Sequence, residues 1–72
     1  MQIRILIVDD EKEISELLQH YLALEGYEVN TANSSREALA LIESEDYSIV
    51  ITDIMMPEMN GLELIKRIKT HN

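Results

Sequence analysis

No cysteine occurs among the 72 residues. That excludes a disulfide framework, a thiolate metal site and thiol chemistry, and it fits a reducing compartment. Basic residues are few: six Lys and Arg stand against fourteen Asp and Glu. Nucleic acid and anionic membranes both demand a basic footprint, so neither is expected as a direct partner. No apolar run is long enough to span a bilayer, and the N-terminus has no secretory h-region. The chain therefore reads as soluble and cytoplasmic. There is no Ser/His/Asp set and no Cys nucleophile, so an ordinary hydrolase is not expected and the chain reads as a non-enzyme. Repeats, low-complexity tracts and linkers are absent, and the length allows one domain, residues 1–72. A fold of this size buries only about 60% of the surface its unfolded chain exposes.

What is present is an alternation of apolar runs and amphipathic stretches. Ile3 to Val8 is nearly continuous apolar and β-branched, the habit of a strand buried on both faces. It ends at Asp9-Asp10. Ile14, Leu17, Leu18, Tyr21 and Leu22 then recur at helical spacing from about Glu11 to Glu25, which predicts a core-facing stripe. Asp10 suits the N-cap, with Glu13 as its capping-box partner, and Gly26 stands where a C-cap glycine belongs. Tyr27 to Thr31 alternates and reads as a half-exposed edge strand. Ser34 and Glu37 make an S-x-x-E box before a short helix over Ala38, Leu39, Leu41 and Ile42. Glu43 to Asp46 reads as its solvated end. Ser48 to Thr52 is a third strand, and a last helix begins near Asn60, its dipole complemented by Lys66, Arg67, Lys69 and His71. His20 reads as a solvated helix residue.

The order βαβαβα predicts an α/β fold: a three-stranded parallel sheet with helices on both faces. The polar second strand belongs at an edge and the apolar first strand at the centre, giving the order 2-1-3. The chain then reverses direction between strands one and three, and the carboxyl ends flanking such a reversal form the usual ligand crevice. Asp9, Asp10 and Asp53 stand at those ends. A lone Asp after a strand ordinarily serves as a cap or turn residue. Three clustered carboxylates, however, repel one another until a proton or a cation neutralises them. Hard oxygen ligands without a dedicated cage favour Mg²⁺, which retains several waters. A carboxylate neutralised in this way can attack phosphorus and form an acyl phosphate.

Two stretches carry a family resemblance: Ile5-Leu6-Ile7-Val8-Asp9-Asp10-Glu11, and Ile49-Val50-Ile51-Thr52-Asp53-Ile54-Met55-Met56-Pro57-Glu58-Met59-Asn60-Gly61. With Leu22 to Tyr27 and the Ala38 to Ile42 helix between them, the chain resembles the receiver domains of two-component response regulators. The resemblance implies a flavodoxin-like, doubly wound (βα)₅ sheet of order 2-1-3-4-5, of which this chain would be the first half. It implies Asp53 as phosphoacceptor, and Mg²⁺ held by the side chains of Asp10 and Asp53, by Asp9 mainly through water, and by the backbone carbonyl of Met55. It implies a sensor histidine kinase as partner. No residue matches the family's Ser or Thr of the fourth strand or its Lys of the fifth, so the chain reads as a truncated receiver with impaired phosphorylation.

Truncation would leave strand three as an edge, and unpaired apolar edges invite pairing with another chain. A homodimer through strand three, with a two-fold axis normal to the sheet, would give the order 2-1-3-3′-1′-2′ and an antiparallel central pair. The alternative function is thus a non-catalytic assembly module that self-associates through residues 48–52. A weaker one is a plain divalent-metal site.

Overall fold

The computed structural model describes residues 3–52 and Lys66. Five elements follow one another: β1 (Arg4–Val8), α1 (Lys12–Leu24), β2 (Glu28–Ala32), α2 (Ser35–Ser44) and β3 (Ile49–Thr52). Apart from Lys66, which is helical, the predicted last helix lies outside the described residues, as do Asp53 and Met55. Among the described residues no helix is long and apolar enough to cross a membrane.

The three strands form one parallel sheet of order β2-β1-β3. Its centre is β1, because a strand with four consecutive apolar residues needs cover on both faces. Ile5, Leu6, Ile7 and Val8 are all buried, none more than 3% exposed. Side chains alternate across a strand, so β1 feeds two cores. Leu6 and Val8 join Ala32 and Ala38 on the α2 face, with Leu39, Leu41, Ile42, Tyr47 and Val50 packed around them. Ile5 and Ile7 join Val29 on the α1 face, with Leu22 and Tyr27.

Local chemistry sets the helix ends. Glu25 closes α1, and Gly26 follows at φ +96°, a conformation that costs a side-chain-bearing residue energy but not glycine. The Gly26 N–H reaches the Ala23 carbonyl at 3.0 Å and the Tyr27 N–H reaches that of Leu22 at 3.3 Å. This is the Schellman pattern, with Leu22 and Tyr27 packed on the same core. At α2, Ser34 Oγ accepts from the Glu37 N–H at 3.1 Å, as the S-x-x-E spacing predicts. The Glu37 carboxylate reaches back one residue further than usual, to the Asn33 N–H at 3.3 Å.

At the amino ends of the strands Arg4 gathers the chain. Its guanidinium pairs with Glu28 of β2 and with Glu45 at 2.6 Å, donates to the Asp46 carbonyl at 3.2 Å, and stacks over the Tyr47 ring. Glu45 and Asp46 are therefore more than the solvated helix end predicted for them. Tyr47 Oη donates to Asn30 Oδ1 at 3.0 Å. Burial, and after it the Glu45 carboxylate, pushes the Tyr47 hydroxyl above its ordinary value.

Helix α1 departs from expectation. Of its predicted core stripe, Ile14 is 41%, Leu17 54% and Tyr21 60% exposed. The residues against the sheet are Ser15, Gln19 and Leu22, the last a member of the predicted stripe that does meet the core, so the helix is turned by about one residue, roughly 100°. The reason is polar. Gln19 Nε2 donates to the Val29 carbonyl on the edge strand at 2.9 Å, and Ser15, wholly buried, hydrogen-bonds at both its donor and acceptor sides. Strand β3 behaves similarly. Its register pairs Ile49 with Ile5 and Ile51 with Ile7, on the α1 face, and both β3 side chains are exposed.

This orientation predicts opposite responses at neighbouring positions. Leu17→Ser is expected to leave the urea unfolding free energy within about 0.5 kcal/mol. Ser15→Leu, forced into a filled space, is expected to cost about 1–3 kcal/mol. A core-sized loss at Leu17 would return the apolar stripe to the sheet.

Candidate functional site

The carboxyl end of β1 is extended by one bond beyond the strand: the Asp9 N–H reaches the Ala32 carbonyl at 3.0 Å. The chain then turns sharply into α1. Asp9 makes that turn with its own side chain, Oδ1 accepting from the Glu11 N–H at 2.9 Å. This is an Asx-turn, the local bond that suits Asp to positions just before helices.

The sequence expectation that Asp10 caps α1 is therefore corrected. The N-cap position belongs to Glu11, whose side chain makes no capping bond. The Asx-turn of Asp9 has already directed the chain into the helix one residue earlier. Asp10, relieved of capping, is exposed beside the half-buried Asp9. Ligand oxygens of Asp9, Asp10 and Glu11 all lie within 4.8 Å of one another. Lys12, the nearest cation in sequence, pairs instead with Glu16 at 3.9 Å along the helix.

The other side of the crevice is built by β3. Its register pairs Thr52 with Val8, while β2 pairs Ala32 with Val8, so the three strands end level. The reversal of strand order falls at β1, where open α/β sheets bind ligands. Asp53 follows Thr52 in the chain, but it and Met55 lie outside the described residues. Of the four predicted ligand residues, the structure thus brings Asp9 and Asp10 together.

Two residues of this region escaped the sequence reading. Glu11 completes the carboxylate group, and its signal was its adjacency to the acidic pair. Asn33 reaches across from the β2–α2 connection: Nδ2 donates to the Asp9 carbonyl at 3.1 Å and to Ser15 Oγ at 3.3 Å. Its signal was an amide side chain immediately before a capping box, at the end of an edge strand.

Among the described residues the donor set is hard and oxygen-only, made of exposed or half-exposed carboxylates without an enclosing cage. That supply fits a cation which keeps much of its water, as Mg²⁺ does, better than Ca²⁺ or a soft transition metal.

Known proteins resemble the chain in both sequence and fold. The family model described as the response regulator receiver domain matches residues 5–72. The response regulator SaeR of Staphylococcus aureus is 48% identical over 65 residues, which cover 90% of this chain and 28% of that protein. The chain thus spans little more than a quarter of the length of these curated relatives. Among solved structures, the response regulator TrrA of Thermotoga maritima, in complex with Mg²⁺-BeF, superposes with a TM-score of 0.93 at 46% identity, covering 99% of this chain and 62% of that one. A CheY-like receiver domain from Methanospirillum hungatei gives 0.96 at 39% identity, covering 100% and 58%. TrrA in complex with the histidine kinase ThkA gives 0.92 at 46% identity, covering 99% and 61%. The chain belongs to the response regulator receiver domain family, and its sheet is of the flavodoxin-like kind.

The turn at Asp9 can be separated from its charge. Asp9→Ala loses the bond to the Glu11 N–H and is expected to cost about 1 kcal/mol in urea unfolding. Asp9→Asn keeps Oδ1 and is expected to stay within about 0.5 kcal/mol. Equal losses in the two variants would mean that the charge, not the Asx-turn, organises the entry to α1.

Proposed function

We propose that the chain is a phosphoryl-accepting receiver domain, phosphorylated at Asp53 in a Mg²⁺-dependent reaction, with a sensor histidine kinase as donor in the cytoplasm. The observation that carries this reading is the acidic pair Asp9 and Asp10 at the end of β1, level with the end of the strand that leads into Asp53. TrrA, similar over nearly the whole of this chain, has been crystallised with Mg²⁺-BeF and also with the histidine kinase ThkA. Both support the reading without being properties of this chain.

In this reading Asp10 and Asp53 would hold Mg²⁺ through their carboxylates, Asp9 mainly through water, and Met55 through its backbone carbonyl. Bound Mg²⁺ supplies positive charge that neutralises the acids and the phosphoryl oxygens. The chain's own contribution is positional. The Asx-turn of Asp9 uses one of its carboxylate oxygens within the protein and frees Asp10 from the helix cap. Asp53 is the nucleophile: a carboxylate oxygen forms the new bond to phosphorus as the bond to the donor's imidazole nitrogen breaks, and that nitrogen keeps the electron pair. The product is an acyl phosphate on an acceptor, not the turnover of an enzyme. The Ser or Thr and the Lys that the family resemblance implies have no match in residues 1–72, so the 72-residue polypeptide alone is expected to accept phosphate slowly.

Mass spectrometry with a small phosphodonor tests this. A phosphate-sized gain is expected with Mg²⁺, is lost in EDTA and is lost in Asp53→Ala. No gain under saturating Mg²⁺ and donor would reject phosphorylation.

A second reading is favoured by the exposure of Ile49 and Ile51 on β3, at 46% and 42%. It takes the 72-residue polypeptide as a module that self-associates through β3. Light scattering at micromolar concentration separates the two: a clean 8.3 kDa monomer would end the assembly reading.

A further inference from the structure

We propose that Asn33 is the positioning residue of the acidic loop, setting the direction in which Asp10 is presented to a divalent cation. The role rests on the metal-site reading above and concerns a residue that neither the motifs nor the carboxylate cluster contains.

The argument starts from the peptide plane that joins the two acids. Its carbonyl is the carbonyl of Asp9, and its N–H is that of Asp10. Whatever holds that carbonyl restrains the rotation of the plane about the Asp9 Cα–C bond, and so where the Asp10 Cα stands and the direction from which its side chain leaves. Asp9 is already fixed on its amino side, by the bond from its N–H to the Ala32 carbonyl at 3.0 Å. Its side chain is fixed by the Glu11 N–H at 2.9 Å. Asn33 Nδ2 holds the carbonyl at 3.1 Å. Asp9 is thus gripped at its amide, its carbonyl and one carboxylate oxygen, while Asp10 projects to solvent.

The grip of Asn33 is itself anchored twice. Its N–H donates to Glu37 Oε2 at 3.3 Å, which ties it to the first turn of α2. Its second Nδ2 hydrogen goes to Ser15 Oγ at 3.3 Å, and that hydroxyl donates to the Lys12 carbonyl at 3.0 Å in the first turn of α1. Ser15 is fully buried, so this bond is shielded from water. Asn33 therefore joins the starts of both helices to the one peptide plane on which the acidic pair turns. Only a short side chain with two amide hydrogens serves: Asp offers acceptors where two acceptors already lie, and Ser offers a single donor. Outer groups that orient metal ligands are worth about 10–100-fold in metal affinity.

Calorimetric titration of the full chain with Mg²⁺, paired with thermal unfolding in EDTA and in Mg²⁺, tests the role. Asn33→Ala is expected to bind Mg²⁺ about tenfold more weakly. The extra stability that saturating Mg²⁺ confers on the wild type should shrink accordingly. Tyr47→Phe removes a hydrogen bond of similar length, to Asn30, that takes no part in the Asn33 network, and is expected to keep Mg²⁺ affinity within about twofold. Asn33→Asp preserves shape and serves if the alanine variant does not fold. Its added charge alone would tighten cation binding, so weaker binding there isolates the lost donor. Unchanged affinity in Asn33→Ala, or unchanged or tighter binding in Asn33→Asp, would overturn the role, as would equal losses in Asn33→Ala and Tyr47→Phe. A wild-type chain that takes up no Mg²⁺ overturns the metal-site reading itself, and the role with it.

Discussion

Strand β1 is the constraint on which the remaining structure depends. Four apolar residues in a row cannot be left half-solvated, because side chains alternate across the sheet and two of them face each way. Ile5 and Ile7 require cover from one side, Leu6 and Val8 from the other, and both pairs receive it. A strand in that position must also be paired along both edges, which places β2 and β3 beside it. The reversal of chain direction at β1 follows, and with it the crevice at the carboxyl ends. The acids that end the strand acquire their meaning from the hydrophobic residues that precede them.

Helix α1 illustrates the limit of hydrophobic periodicity. Ile14, Leu17, Leu18 and Tyr21 do share one face, as their spacing requires, but that face is not the one on the sheet. The docking face is defined by Ser15 and Gln19, two polar residues whose partners exist only in the assembled fold: the Val29 carbonyl of the edge strand and the amide of Asn33. Hydrogen bonds are directional and lapse with a small rotation, whereas apolar burial is not directional. The polar pair therefore holds the helix in this rotation, together with Leu22 on the same face. The same logic separates the ends of α1. Its C-terminus follows from Gly26 alone, whose positive φ permits the Schellman turn. Its N-terminus depends on a competition among three adjacent acids, which Asp9 wins through its Asx-turn.

The candidate site joins these two themes. Its charges are local, three consecutive carboxylates that the chain could not separate if it tried. Its geometry is not local. Asp9 is held by residues from β2, from the β2–α2 connection and from the N-cap of α1. At the opposite end of the strands, Arg4 ties β1 to Glu28, Glu45 and Tyr47. Both ends of the sheet are thus closed by polar links that run between elements rather than within them.

The order of the five described elements, the strand order 2-1-3, the Ser34 cap of α2 and the glycine stop of α1 were legible in the amino-acid sequence by itself. Each rests on short-range physics: the period of an apolar run, the polarity of an edge, a hydroxyl three residues before an N–H. The acidic pair was equally legible as chemistry. Tertiary structure alone decided that Asp9 rather than Asp10 directs the chain into α1, that Ser15 and Gln19 rather than Ile14 and Leu17 meet the sheet, and that Asn33 holds the acidic loop. Those outcomes depend on hydrogen-bond partners many residues away in the chain, Asn33 and Asp9 lying 24 apart, and no local pattern records a partner that folding has yet to bring near.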